Sequence, residues 1–430
     1  MESSIADRRL QFGTNPGLPK QEEKSRLWIV SELYYPEETS TGYILTRLAE
    51  GLAARRAVRV ICAQPSYALR GQRFPRNEMR HGVQIERCAE AKFDKNHLLL
   101  RFVDLLIITL RIGWRVFWKI RGGDKVLVVT NPPILPFVVG AACRLRRAHF
   151  LLLIHDVYPE VLVATGVTRS GGWLPSIIDR ASIWLYRTAD RVIVLGRDMQ
   201  AIVRNKLADR DDRIVVIPNW ADSDDIRPRL RQENQLLDEA GLLDRFVIQY
   251  AGNMGRTHGI ELLVACAEVL MHQMPTVHFL FIGSGAKKGW LEEEVSKRGL
   301  VNVSVMGNRP RSDQDLFINA CDVAVISFVQ GMAGVSVPSR MYNIMAAGKA
   351  IIAVADAESE LAQVVLEERA GWVVAPDDIE GFVMTVVRAA NDPGELALRG
   401  RNARRAAESK YPFEAILTQY ETLLNDVESA

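Results

Sequence analysis

The chain contains few cysteines, and their arrangement excludes the common cysteine-based sites. None of the five forms a Cys-x-x-Cys pair or lies at metal-ligand spacing from a histidine, so we expect no disulfide framework and no metal site. A reduced, cytoplasmic protein fits this use of cysteine best. The five lie in apolar segments, at Cys62, Cys88, Cys143, Cys266 and Cys321.

The sequence also lacks an excess of charge and an apolar N-terminal segment. Lysine and arginine number 54 against 52 aspartate and glutamate residues, so the net charge of +2 gives no argument for a nucleic-acid partner. Residues 1–24 are polar and of mixed charge. They do not read as a secretory signal, and we expect them to form a disordered lead-in.

What the sequence does contain is an alternation of short β-branched runs with helical stretches. This alternation indicates parallel sheets covered by helices, and it is interrupted once, by a polar stretch from Ala221 to about Asp244. The predicted strands before this stretch are 27–31, 58–63, 83–88, 125–130, 149–154, 191–195 and 213–217. Those after it are 246–251, 277–282, 301–306, 323–328, 350–354 and 372–375.

Two such sheets in succession predict an α/β fold with two Rossmann-like, doubly wound domains that face a central cleft. We assign residues 25–222 to the first domain, 223–244 to a linker and 245–411 to the second domain. The last stretch, 412–426, reads as an amphipathic helix that could pack on either domain. The cleft between the domains is the expected binding site.

The most informative loop, residues 252–259, follows the first strand of the second domain. Its glycines let backbone N–H groups approach an anion, and the next helix adds the partial positive charge of its N-terminus. Gly252, Asn253, Gly255 and Arg256 are therefore candidate ligands of a diphosphate, whose charge Arg256 could neutralise. The alternative is an ordinary strand–helix turn with a solvated arginine.

A second loop, residues 331–339, leads into a helix through Pro338, Ser339 and Arg340. Ser339 is a candidate N-cap, so this helix would also point free amide groups into the cleft. Two helix ends can share one diphosphate. By itself, an ordinary capping role for Ser339 is the simpler interpretation.

His155 directly follows a predicted strand of the first domain, on the side where the ligand crevice of a parallel sheet lies. It could hydrogen-bond a sugar hydroxyl or polarise a neighbouring group, so His155 and Asp156 are the candidate catalytic residues. The alternative is a structural histidine that Asp156 simply caps or orients.

A polar loop on the same rim, residues 34–43, is predicted to lead into a helix at Ile44. Through Thr41, Gly42 and Tyr43 it could reach an acceptor or the donor diphosphate. The alternative is a flexible surface loop.

The most hydrophobic stretch, residues 98–120, is predicted to form an amphipathic helix rather than a transmembrane one, because its charges fall on one arc. Basic residues beside aromatic ones are typical of a helix that lies in a membrane interface. The alternative is a core helix with one solvent stripe. The charged residues are Arg101, Asp104, Arg111, Arg115 and Lys119, and the predicted interface consists of Arg111, Trp114, Arg115, Trp118 and Lys119.

In order and spacing, these segments resemble the retaining glycosyltransferases of family four, which have the GT-B fold, and especially their bacterial polysaccharide and lipopolysaccharide branch. The likeness extends over nearly the whole chain from about Leu27. It is carried by Tyr-Tyr-Pro-Glu-Glu-Thr-Ser-Thr-Gly at 34–42, Asn-Pro-Pro at 131–133, His-Asp-Val-Tyr-Pro-Glu at 155–160, Ile-Pro-Asn-Trp at 217–220, the glycine loop at 251–259 and the segment 337–349.

The resemblance implies transfer of a sugar from a nucleoside-diphosphate sugar, with retention of configuration and without a metal or other cofactor. It implies that His155 contacts the donor sugar and that Arg256 binds the diphosphate. It also implies backbone contacts from Gly255 and Ser339, an acceptor side near Gly42, and a C-terminal helix that returns to the first domain.

The chain departs from the family pattern at two places. Many members carry paired glutamates that bind the donor sugar and ribose, but Val335 and Asn343 occupy those positions here. Asn343 can hydrogen-bond a hydroxyl but supplies no carboxylate, so the donor base and sugar are not readable. The glycine loop also lacks a usual second cation, for which Arg340 or Lys287 could compensate.

We therefore predict a glycosyltransferase that moves a sugar from a nucleotide sugar to a lipid-linked saccharide, in cell-surface polysaccharide or lipopolysaccharide assembly. Its expected place is the cytoplasmic face of the inner membrane. One alternative is a nucleotide-sugar epimerase of the same fold, which would need further acid/base groups. Another is a non-catalytic nucleotide-binding or membrane-scaffold subunit, which the missing glutamates favour.

Overall fold

The computed structural model describes residues 26–65, 72–89, 98–208 and 211–429, and the predicted lead-in lies outside them. The strands are β1 Leu27–Val30, β2 Val58–Ala63, β3 Asn77–Arg80, β4 Val83–Cys88, β5 Lys125–Val129, β6 His149–Leu153, β7 Arg191–Val194, β8 Ile214–Val216, β9 Phe246–Ala251, β10 Val277–Ile282, β11 Val303–Met306, β12 Val323–Ser327, β13 Ala350–Val354 and β14 Gly371–Val374.

The helices lie between and after these strands. They are α1 Ser40–Ala53, α2 Leu98–Lys119, α3 Leu135–Arg146, α4 Glu160–Ala164, α5 Trp173–Thr188, α6 Arg197–Leu207, α7 Gln235–Glu239, α8 Ile260–Gln273, α9 Lys288–Arg298, α10 Gln314–Ile318, α11 Arg340–Ala346, α12 Glu360–Glu367, α13 Ile379–Asn391, α14 Pro393–Ser409 and α15 Phe413–Ser429.

The strands form two sheets, which confirms the predicted α/β fold with two Rossmann-like halves. The first has the order β3-β4-β2-β1-β5-β6-β7-β8 and is parallel except for β3. The second has the order β11-β10-β9-β12-β13-β14 and is parallel throughout. In each sheet the strand order reverses beside its first strand, where such folds bind ligands. The loops after β1, β5, β9 and β12 therefore line the cleft.

Every predicted strand is present, and all except the edge strands β8 and β11 are buried apolar runs between helices. Along β9, for example, Val247 faces one apolar core and Ile248 faces the other, as the alternation of side chains in a strand requires. The sequence did not predict β3. Its residues are mostly polar and partly exposed, since it is an antiparallel strand at the edge of the first sheet.

The C-terminal helix α15 packs on the first domain, next to α1. Ile416 and Tyr420 are buried in the core of the first sheet. Gly51 of α1 gives the helix room, because a Cβ there would lie 2.8 Å from the Phe413 ring. At the other boundary, residues 223–244 are more than the predicted linker, because they contain α7 and its Leu237 is buried with the core of the second sheet.

Helix α2 is amphipathic, and most of its charged arc reaches solvent, since Arg111 and Lys119 are exposed. Asp104 is the exception, because it is buried, and the ammonium of Lys119 lies 3.2 Å from the buried Glu86 carboxylate of β4. The exposed side of the helix also carries Trp114 and Trp118, which are 66% and 59% exposed. Among the described residues, no helix has the length and apolar character needed to cross a membrane.

Candidate active site

The first turn of α1 forms one wall of the cleft. The helix begins at Ser40, so the predicted helix start at Ile44 is wrong. The helix starts earlier because the Thr39 hydroxyl accepts a hydrogen bond from the Gly42 N–H at 3.2 Å and caps it. A Cβ on Gly42 would lie 2.5 Å from the Glu37 carbonyl oxygen. Only glycine fits this turn, which fixes the position of Thr41 beside it.

His155 lies at the carboxyl end of β6 and is held by two threonines. Its backbone N–H donates to the Thr130 hydroxyl at 3.0 Å, and its Nδ1 is 3.2 Å from the Thr41 hydroxyl. Its Nε2 is buried and has no hydrogen-bond partner among the described residues. Burial lowers the pKa of His155 to about 4, so the ring is neutral at neutral pH. A buried, unpaired ring nitrogen of this kind is a candidate ligand contact.

Asp156 contacts the second domain rather than the imidazole. Its backbone pairs with Ser336, its side chain hydrogen-bonds Ser336, and burial raises the pKa of the carboxyl. Next to it, the Val157 N–H donates to the Val335 carbonyl at 2.9 Å. The expectation that Asp156 orients His155 is therefore wrong, because Thr41 makes the ring contact and Asp156 joins the domains.

On the opposite wall, the glycine loop after β9 is packed too closely for side chains. Gly252 has a φ of +145°, and a Cβ there would lie 2.4 Å from the Arg340 Nη1. A Cβ on Gly283 would lie 2.0 Å from the Gly252 carbonyl oxygen. Glycine at these two positions therefore allows the backbone and the guanidinium to meet.

Arg340 provides a half-buried cation at this loop. Its guanidinium carbon lies 4.6 Å from the centre of the Tyr250 ring, and its Nη1 donates to the Ala251 carbonyl at 3.3 Å. Its Nε and Nη2 are buried without a hydrogen-bond partner, and no carboxylate of the described residues pairs with it. Buried donors without partners are costly, so this guanidinium is poised for an anion.

The other cations of the loop are placed differently. Arg256 is exposed and makes no ion pair with the described residues, and Asn253 beside it is exposed as well. Lys287 lies 2.7 Å from the Glu261 carboxylate and also donates to the His258 carbonyl at 2.8 Å. Lys287 is thus already neutralised, which leaves Arg340 as the one of the two expected compensating cations that has no carboxylate partner among the described residues.

The predicted capping role of Ser339 is wrong. Its side chain makes no capping hydrogen bond to α11, which begins at the next residue. Its hydroxyl instead lies 2.7 Å from the Ser40 hydroxyl of the first domain, and the preceding Pro338 carbonyl accepts from the Met341 N–H at 3.2 Å. Ser339 therefore links the two walls of the cleft, next to Arg340.

The two positions that differ from the family pattern are both occupied by other contacts. Val335 is buried. The Asn343 Oδ1 accepts from the Asp222 N–H at 2.9 Å, and its Nδ2 donates to the Asp222 carboxylate at 3.1 Å. We expected Asn343 to be available for a donor hydroxyl, but its amide is already hydrogen-bonded to Asp222. A glutamate here would put two carboxylates together, which asparagine avoids.

Sequence reasoning missed the residues that join the domains, because their partners are far away along the chain. The Asp198 carboxylate accepts from the Gly334 and Glu360 N–H groups, both at 2.8 Å. Near the first turn of α1, the Arg311 guanidinium carbon lies 3.5 Å from the centre of the Tyr43 ring. These contacts join the two domains, and no local pattern could have revealed them.

Two parallel-sheet Rossmann-like domains that face a central cleft are the architecture of the GT-B fold. A solved structure of HepE from Anabaena, in complex with UDP-glucose, has this fold. It shares 16% identity and a TM-score of 0.71, over 93% of this chain and 99% of that chain.

Two family models match the two halves of the chain. A "Glycosyl transferase 4-like domain" matches residues 41–220, and "Glycosyl transferases group 1" matches residues 245–392. The chain therefore carries two glycosyltransferase domains, a 4-like domain in its first half and a group 1 domain in its second. It is 29% identical to the probable glycosyltransferase WbjE of Pseudomonas aeruginosa, over 82% of this chain and 86% of that protein. It is 24% identical to the putative colanic acid biosynthesis glycosyl transferase WcaI of Escherichia coli, over 92% and 97%.

Proposed function

We propose that this glycosyltransferase moves a sugar from a nucleoside-diphosphate sugar to a lipid-linked saccharide, in assembly of a cell-surface polysaccharide or lipopolysaccharide, with retention of configuration. The observation that carries the proposal is a pair of buried polar groups without hydrogen-bond partners: Nε and Nη2 of Arg340 in the second domain and Nε2 of His155 in the first. The colanic acid role in the name of WcaI and the UDP-glucose bound to HepE support the pathway and the donor class.

In this proposal the donor diphosphate lies against the glycine loop. The Arg340 Nε and Nη2 donate to it, and the backbone at Gly252 and Gly255 approaches it. Arg256 and Asn253 are exposed at the rim, so they contact the outer phosphate or the sugar. Because two of its donor nitrogens are buried, Arg340 stabilises the charge that develops on the leaving nucleoside diphosphate.

His155 binds the donor sugar on the opposite wall. Its neutral Nε2 forms a hydrogen bond with a sugar hydroxyl, while the Thr41 hydroxyl holds Nδ1. The bond between the anomeric carbon and the diphosphate oxygen breaks, and a bond to the acceptor oxygen forms. The acceptor proton leaves with the nucleoside diphosphate. The acceptor enters past the first turn of α1, near Gly42 and Tyr43.

No metal is needed in this proposal, because Arg340 and the loop amides supply the positive charge. Among the described residues, no cluster of three or more histidine, cysteine, aspartate or glutamate side chains is placed to hold a metal ion. Transfer should proceed at the wild-type rate in excess EDTA. Loss of activity in EDTA, restored by one divalent cation, would overturn this part of the proposal.

The first domain also presents an apolar face suited to a membrane surface. Trp114 and Trp118 of α2 are exposed, and so are Trp173 and Trp184 of α5. Helix α3 lies between them, and its Phe137 stacks on Trp184 with the ring centres 6.2 Å apart. An exposed apolar area of this extent marks an interaction surface, and the flanking Arg111, Arg115 and Lys119 favour anionic lipid.

The membrane proposal predicts co-flotation with anionic liposomes. Substitution of both Trp114 and Trp118 by serine should reduce flotation at least tenfold, because two large apolar side chains leave the interface. Met384→Ser, which removes an exposed apolar side chain of the second domain, is the matched control. Equal flotation of the double variant and the wild type would refute the membrane face.

Transfer itself is tested with a panel of UDP-, GDP- and dTDP-sugars and a polyprenyl-diphosphate saccharide as acceptor. We expect one donor to give a product whose anomeric configuration, determined by NMR, matches that of the donor. Isomerisation of a nucleotide sugar without acceptor would favour the epimerase. Binding without transfer from any donor would favour a non-catalytic subunit.

A further inference from the structure

An open groove lies beside α2, outside the cleft. It runs between α2 and α3 at the carboxyl end of β4, and its volume of about 800 Å³ is within the usual range of small-molecule sites. The two helices cross closely at Gly113, where glycine is needed because a Cβ would lie 2.2 Å from Val138 Cγ1. Most of the walls are apolar, and they include Leu110, Trp114, Phe117, Ala141 and Leu145.

Arginines also line this groove, whereas no acidic side chain of the described residues does. Arg111 donates to the Ala89 carbonyl, just after β4. Its positive charge therefore lies at the end of the groove that is nearest the carboxyl end of β4. Arg87 pairs with Glu78 and Arg115 lies 3.6 Å from Glu86, but Arg111 and Arg76 have no carboxylate partner among the described residues. The four arginines are Arg76, Arg87, Arg111 and Arg115.

The groove connects to the acceptor side of the cleft through its inner wall. The Arg87 Nη2 donates to the Tyr35 carbonyl at 3.0 Å, in the loop that leads into α1. The first turn of the same helix carries Thr41, which contacts His155. The arginine end of the groove therefore lies at the same strand edge as His155, and its other side opens at Trp114 on the proposed membrane face.

We propose that this groove holds the first part of the hydrocarbon chain of the lipid-linked acceptor, with Arg76 and Arg111 facing the phosphate groups of that lipid. The proposal deepens the proposed function and rests on it for the identity of the acceptor. Charge complementarity argues for this occupant, because an apolar trough with a cationic end suits a chain that begins at a phosphate. The sugar beyond the phosphate then points toward the cleft.

The test fills the groove without touching the cleft. Ala141 is exposed on α3 and lines the groove, so Ala141→Trp should fold normally while it takes up space. Each methylene group kept out of the groove should weaken chain binding about fourfold, and exclusion of two should lower kcat/KM for a long polyprenyl acceptor about fifteenfold. The same saccharide on a short alkyl diphosphate should be used at the wild-type rate. Ala201→Trp, at an exposed position of α6, is the matched control.

A second variant and a binding measurement make the result decisive. Leu145→Glu puts a carboxylate into the groove and should show the same selective loss. Binding of a long polyprenyl diphosphate in detergent micelles is measured without donor, from the change in Trp114 fluorescence. The Trp114→Phe variant, which lacks this signal, identifies its source. If Ala141→Trp and Leu145→Glu use the long and the short acceptor at wild-type rates and bind the polyprenyl diphosphate normally, the proposed role of the groove is overturned, even if the wild type transfers sugar. Binding that both variants weaken, without transfer by the wild type, would support the groove and overturn the proposed function.

Discussion

Replacement of Arg340 by alanine tests where the donor diphosphate binds. The Arg340 guanidinium lies against the glycine loop, and two of its nitrogens are buried without partners. A bound diphosphate would accept hydrogen bonds from both nitrogens, in a place where water does not compete. In the Arg340→Ala variant these hydrogen bonds and the positive charge are lost together, while the glycine loop keeps its backbone.

The expected loss is large. A hydrogen bond to a charged group contributes about 1.5–3 kcal/mol. Two such bonds to one anion are not additive, so we expect a loss of about 3 kcal/mol in donor binding. This loss corresponds to a Kd for the nucleoside diphosphate about 150-fold higher. Turnover should fall at least as much, because the same cation stabilises the leaving group.

Calorimetric titration with UDP, GDP and dTDP gives the Kd, and thermal unfolding of each variant shows whether the fold is intact. Arg340→Lys should recover part of the affinity, because it keeps the charge but loses the planar pair of donors. Lys287→Gln is the control, since Glu261 already neutralises that lysine. Its Kd should change less than about threefold.

Arg256 makes the result discriminating, because the sequence alone assigns the diphosphate to it. Its side chain is exposed, so we expect Arg256→Ala to weaken donor binding by about 1 kcal/mol or less. A large loss in Arg256→Ala with an unchanged Kd in Arg340→Ala would refute the assignment to Arg340. Normal binding in both variants would remove the diphosphate from this loop altogether.

Three further outcomes follow from the contacts around the cleft. Burial lowers the pKa of His155 from 6.5 to about 4, so between pH 6.5 and 4 this histidine is protonated in the unfolded chain but neutral in the folded protein. The wild type should therefore lose about 3 kcal/mol of unfolding free energy as the pH falls from 6.5 to 4, relative to His155→Gln, in denaturant titrations. Gly42→Ala should lower kcat about tenfold or more with an unchanged donor Kd, because the new Cβ meets the Glu37 carbonyl and moves the acceptor wall. Asn343→Asp puts a second carboxylate beside Asp222, so it should destabilise the protein by about 2 kcal/mol at pH 8 and by less at pH 5; equal losses at both values would contradict this.

The sequence by itself determined the elements of each half and their order. The strands are continuous apolar runs, and the glycine loop stands between a strand and a helix, so local pattern was enough to predict them. The same patterns led to His155 at the end of its strand. The predictions were wrong where a cap decided the outcome, as at Thr39, whose hydroxyl starts α1 four residues before the predicted Ile44.

Only the tertiary structure decided which charges are free to act. Arg256 and Arg340 are equally cationic in the sequence, but Arg340 is half-buried against Tyr250 whereas Arg256 is exposed to solvent. Asp156 adjoins His155 in the chain, yet it pairs with Ser336, which is distant in sequence. The availability of a charged or polar group depends on partners brought together by folding, and such partners leave no periodic signal along the chain.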